Sequence, residues 1–255
     1  MSVWTALLIA LAGTGAGLIN TIVGSGTLLT FPTLLFFGVS PLVANVSNNI
    51  GLVAGGITGS WGYRAELTGQ APTLRRLMPL SFAGSVVGAG LLLVLPASAF
   101  RSIVPVLILI ALALVLVGPR LQARMAVRHD GADPPWHAPV LGAGVFVAGM
   151  YGGYFGAAQG VLLMGLFSLL SAEPLQRLNA YKNVLALIVN VVAAVVFVLF
   201  ARSSIDWPIV GLVAVGAFAG GVLGAHVGRR IPPAVLRGII VTIGVVAVVR
   251  LLWFS

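Results

Sequence analysis

Two short apolar stretches, each opened by glycine and closed by polar side chains, limit what this chain can fold into. The first runs from Gly24 to Asn49, GSGTLLTFPTLLFFGVSPLVANVSNN; the second from Gly156 to Asn183, GAAQGVLLMGLFSLLSAEPLQRLNAYKN. The apolar pieces inside them, 26–39 and 160–171, are shorter than the ~20 residues a bilayer-crossing helix needs. Each therefore reads as a re-entrant or broken helix. Backbone freed at membrane depth has to line a protein cavity, because lipid offers it no hydrogen bonds. Two such interruptions at corresponding places in two halves point to a transport site between the halves.

Composition supports a bilayer setting. Hydrophobic residues make up 59% and charged residues 7% of the 255, against roughly 25% charged in a soluble domain; the fold class expected is an all-α, polytopic integral membrane protein. The five carboxylates, Glu66, Asp130, Asp133, Glu173 and Asp206, lie in or beside loops, which excludes a carboxylate proton relay inside a span. A net charge of +9 carried by arginines between apolar spans fits loops that meet anionic headgroups, not nucleic acid. Cysteine is absent and His129, His137 and His226 are scattered, so neither a metal nor another cofactor is expected. MSVWTALLIA lacks a basic leader and is read as a first membrane helix, not a cleaved signal. No phosphate-binding G-x-x-x-x-G-K-[ST] run provides for direct ATP coupling.

Apolar segments fall at 3–23, 26–39, 42–63, 77–95, 102–118, 138–156, 160–171, 178–200, 208–228 and 233–254. The polar interval 119–137 separates an N-terminal repeat, 1–118, from a C-terminal one, 138–255. Gly84, Gly88 and Ala89 recur as Gly220, Gly224 and Ala225, and Pro96 and Arg101 as Pro232 and Arg237, at an offset of 136. At 134, Gly26 falls on Gly160 and Asn49 on Asn183. If the first two segments of each half form a hairpin, or two full crossings of the same parity, eleven Lys and Arg collect on one side and three on the other. One long crossing gives eight against six and no bias. The positive-inside rule thus selects inverted halves, both termini outside and the linker cytoplasmic. Gly216, Gly220, Gly224 and Gly228 form one helix ridge for close packing.

A helix restarted inside the membrane presents free N–H groups and the positive end of its dipole, which suits an anion. Gly24, Ser25 and Gly26 mark one such start, Gln159 and Gly160 the other, with Ser25 and Gln159 as side-chain donors or simple caps. Asn48 and Asn49, after a cap-like Ser47, and Lys182 and Asn183 in the counterpart are expected to face these starts across a pseudo-twofold axis. Interhelical hydrogen bonding and snorkelling of Lys182 are the competing readings. Tyr151, Tyr154 and His226 are secondary candidates.

The run GTGAGLINTIVGSGTLLTFPTLLFFGVSPLVANVSNN, with its Gly-x-Gly break, Pro32 and asparagine cluster, and its second copy, resembles the TauE/SafE sulfite exporter family, also called the 4-toluene sulfonate uptake permease family. That resemblance implies a transporter of sulfite, organosulfonates or related small anions in a bacterial inner membrane. It also implies a proline soon after the second break, yet none occurs between Gly160 and Glu173. Another small organic anion is the alternative cargo. A membrane hydrolase using Ser25 with His226 and a scaffold without transport are the readings of other classes. The expected partners are a small anionic substrate and the lipid bilayer; the sequence leaves homo-oligomerisation open.

Overall fold

A computed structural model describes residues 1–125, 136–171 and 173–227, with only positions 238, 241, 242 and 245 beyond. Gly228, Pro232, Arg237, most of the expected last segment and residues 126–135 of the linker lie outside the described residues. Among the described residues the long elements are nine α-helices: α1 (Val3–Ile22), α2 (Thr27–Phe36), α3 (Pro41–Gly62), α4 (Ala71–Val94), α5 (Ala97–Met125), α6 (His137–Tyr154), α7 (Gln159–Leu170), α8 (Leu175–Phe200) and α9 (Trp207–Val227). Two short 3-10 turns join them and no strand occurs there. The protein is all-α, and α1, α4, α8 and α9 are long and apolar enough to cross a membrane. Trp4, Leu7, Leu8 and Leu11 on α1 and Phe82, Val86 and Leu91 on α4 point outward, as lipid-facing side chains do.

Helix ends correct the sequence reading in two places. Pro41 occupies the first turn of α3, where its missing N–H goes unneeded, so Asn45, Ser47, Asn48 and Asn49 sit inside the helix instead of starting it. Ser47 is no cap; its Oγ accepts from the Asp206 N–H at 2.9 Å. Helix α5 also continues to Met125, past the expected end at 118.

Both breaks are present, and each is a reversal. Gly24, at φ 89°, turns the chain between α1 and α2; Gly156, at φ 73°, does so between α6 and α7. Glycine alone takes these angles without strain. Helix α2 runs back along α1, with Leu29 against Gly15 and Gly26 against the Ala16 carbonyl. Helix α7 runs back along α6, with Gln159 beside Gly152 and Leu166 beside Gly144. At 1.5 Å per residue the returning arms are only ~15 and ~18 Å long, about half a hydrocarbon layer of roughly 30 Å.

The halves are laced together by exchange. Helix α9 packs against α1 and α3 of the first half, while α4 packs against α6 and α8 of the second. Small residues make both seams: Gly216 and Gly220 lie on the backbone of Ala10 and Thr14, and Gly84 and Gly88 on that of Phe146 and Met150. Ser81 and Ser85 of α4 donate to the Leu185 and Val189 carbonyls of α8, and Thr58 of α3 donates to Phe218 of α9. This close packing supplies the van der Waals contact that holds helices together where the hydrophobic effect is weak.

Candidate functional site at the meeting of two hairpin tips

The tips of the two hairpins touch. The Gly160 N–H donates to the Gly24 carbonyl at 3.1 Å, a direct bond from one half to the other. A Cβ on either glycine would overlap the Cα of its partner, so this approach requires glycine on both sides. Beside the contact lies a cavity of about 30 Å³, room for about two waters. The first half lines it with Asn20, Thr21, Gly24, Thr27, Gly55 and Gly56, and the second with Gly156, Gln159, Gly160, Asn183, Ala186, Leu187 and Asn190.

In a hairpin, the carbonyl end of one helix and the N–H end of the next arrive at the same tip, and their partial charges oppose. Here the carbonyl ends are covered from behind. Lys182 is wholly buried, and its Nζ donates to the Asn20 carbonyl at 2.9 Å and the Thr21 carbonyl at 3.1 Å. Asn179 and Asn183 also donate to the Thr21 carbonyl, at 3.2 and 3.3 Å. On the other hairpin Asn45 donates to the Tyr154 carbonyl at 3.0 Å. The third helix of each half thus caps the first helix of the other, with Lys182, Asn179 and Asn183 on the end carbonyls of α1 and Asn45 on that of α6.

The N–H ends are left with spare capacity. Asn20 Oδ1 accepts from the Gly26 N–H at 2.6 Å, so Asn20, not Ser25, caps α2. Among the described residues no protein acceptor meets the N–H of Thr27 or Gln159, each the first residue of its helix. Gln159 is 4% exposed and its Nε2 meets no protein partner. Among the described residues the cavity lining carries donors and no Asp, Glu, Arg or His.

Of the residues expected from sequence, the cavity brings together Gly24, Gln159, Gly160 and Asn183. Gly26 sits one bond behind it, and Lys182 behind its wall, with the ammonium held inside rather than snorkelling outward. Ser25 is fully buried away from the cavity lining, its Oγ without a protein partner. Asn48 is engaged within its own half, donating to Thr27 Oγ1 at 3.3 Å and accepting from Thr30. Asn49 makes one long 3.5 Å contact to Asn190 across the halves. The Tyr151 hydroxyl points to the Leu107 carbonyl, and Tyr154 packs on Phe100. His226 is exposed and bonds Val222 one turn back. Ser25 and His226 make no hydrogen bond to each other, which removes the hydrolase dyad.

The sequence of this all-helical bundle has counterparts among known proteins. Residues 9–251 match the family described as sulfite exporter TauE/SafE. The chain belongs to that family. Similar relatives include the Escherichia coli K12 "Probable membrane transporter protein YfcA", 27% identical over 240 residues that cover 94% of this chain and 87% of the relative. A Sinorhizobium "Probable membrane transporter protein ORF9" is 29% identical over 239 residues, 93% and 88% of the two chains. A third, from Haemophilus influenzae, is 26% identical over 218 residues, 84% and 80%. This TauE/SafE chain is accordingly a multi-pass membrane transporter.

Proposed function

We propose that this transporter moves a small sulfur-containing oxyanion, sulfite or an organosulfonate, out through a bacterial inner membrane, holding it in the cavity between the hairpin tips. The observation that carries this reading is the unspent donor set around one cavity: the Thr27 and Gln159 N–H groups and Gln159 Nε2, with the opposing carbonyl ends already capped. Helix N-termini arranged so bind oxyanions without a contacting cation. Asn20 and Asn190, whose side-chain oxygens are engaged, also line the cavity and have amide nitrogens to donate.

Transport follows from how the tips are joined. The Gly24 carbonyl occupies the Gly160 N–H in this conformation, and an arriving oxyanion competes for that donor. Exchanging one acceptor for another parts the tips at little cost in hydrogen bonding. The half-length arms and the exchange of α4 and α9 between halves support inverted repeats rocking around a fixed site. An inside-negative potential drives one negative charge outward by about 2.3 kcal/mol per 100 mV.

The test is flux of labelled sulfite and a panel of sulfonates in proteoliposomes under an imposed potential. Protein-dependent flux is expected, reduced about tenfold in Gln159→Leu, the loss of one hydrogen bond to a charged ligand. Flux no greater than in protein-free vesicles would refute the cargo. Orientation has a separate check: a reporter fused after Ser255 is expected outside, and cytoplasmic activity there would overturn the charge count.

A further inference from the structure

Among the described residues the site contains one formal positive charge, and that charge does not line the cavity. Among the described residues Lys182 is the one buried side chain that carries a charge, and no Asp or Glu is buried with it. Its ammonium is bound to the Asn20 and Thr21 carbonyls, and both of those residues line the cavity. It therefore sits just behind the wall, a cation with no anion of its own among the described residues. Everything that faces the cavity among the described residues is neutral: amides, two threonines, glycines, Ala186, Leu187 and backbone groups. The buried, unpartnered Gln159 Nε2 marks the cavity as a ligand site independently of the helix ends.

Neutral dipoles solvate a charge partly, and a buried charge without a counter-charge is strongly disfavoured. One buried ammonium balances one negative charge; a second would stay uncompensated in the middle of the bundle. From this balance we infer that the transported species is singly charged: a monoanion such as hydrogen sulfite or a monosulfonate, with dianionic sulfite and sulfate excluded. This rests on the cargo reading above and deepens it. Sulfite then crosses in its protonated form, so each turnover carries a proton on the substrate, without a protonatable carboxylate in the cavity.

The experiment uses the intact protein in proteoliposomes with three probes: methanesulfonate, a monoanion at every pH used; sulfate, a dianion; and sulfite, which passes from one to the other near neutral pH. Leak in protein-free vesicles is subtracted. Methanesulfonate, whose charge does not change with pH, reports the protein's own titration, and sulfite flux at each pH is read relative to it. Sulfite flux at fixed total concentration is expected to fall in proportion to the hydrogen sulfite fraction as pH rises, and sulfate to move at least about tenfold more slowly than methanesulfonate. Sulfate moving as fast as methanesulfonate, or sulfite flux that holds steady or rises with pH, overturns the single-charge inference and leaves the cargo reading standing. No protein-dependent flux of any of the three overturns the cargo reading, and the inference with it.

Discussion

Replacing Gly160 with valine is expected to abolish transport, lowering flux by at least about a hundredfold. A Cβ at this position would overlap the Gly24 Cα and stand 2.9 Å from the Gly24 carbonyl oxygen and 3.0 Å from Lys182 Cδ. Two of those three neighbours are backbone of a turn held at φ 89°, which cannot shift without losing the reversal. The side chain forces the tips apart, breaks the Gly160–Gly24 bond and displaces the Gln159 N–H from the cavity. Overpacking of this kind costs about 1–3 kcal/mol, so detergent-solubilised protein should melt lower while remaining folded. Gly165, five residues along the same helix, has no neighbour among the described residues within 4 Å of an added Cβ, and Gly165→Val serves as the control. Flux in Gly160→Val within twofold of that in Gly165→Val would show that the tip contact is not part of transport.

The second large effect separates function from stability. Lys182→Met keeps an unbranched side chain of similar length and removes the charge. For two unit charges roughly 8 Å apart at an effective dielectric near 20, the lost attraction is about 2 kcal/mol, some thirtyfold in affinity. Transport is therefore expected to fall about tenfold to a hundredfold. Stability should move little or even rise, because replacing a buried, unpaired cation by an apolar side chain relieves desolvation. The Thr21 carbonyl keeps the Asn179 and Asn183 donors, and the Asn20 carbonyl alone is left without one. A lysine that only held helices together would show the reverse, a lower melting temperature with transport intact.

Much of the fold was legible because glycine, proline and apolar runs mark local geometry. The breaks after Ile22 and Tyr154 follow from glycines that accept positive φ, and the four long spans from runs of predominantly apolar residues. Register was misread at one point. Sequence offset pairs Gly26 with Gly160, whereas the backbone pairs the turn glycines Gly24 and Gly156, at an offset of 132. Helix α7, at 12 residues, is two longer than α2, at 10, which restores the 134 spacing by the time α3 and α8 begin.

The site was harder to read for a physical reason. Gln159, Gly160 and Asn183 carry local signals, a break or a polar residue in an apolar run. Asn20 carries the same signal and was passed over, while Thr21, Thr27, Gly55 and Gly56 carry none: they reach the cavity only because the hairpins fold back and α3 and α8 pack together across the halves. Lys182 was conspicuous as an ammonium among apolar residues, but nothing local says that it faces the carbonyl end of a helix more than 150 residues earlier. Asn48 and Ser47 show the opposite case, polar residues spent on holding helices in place.

One cavity shared by both halves is the claim on which the rest depends, and the absence of cysteine makes it directly measurable. Gly56→Cys from the first half and Ala186→Cys from the second, made one at a time, each place a single thiol on the cavity wall. Their rates of labelling by a small thiol reagent are measured against rising methanesulfonate. Methanesulfonate is expected to slow labelling at both positions with the same half-maximal concentration. Protection at one position without the other, or at clearly different concentrations, would contradict a shared cavity.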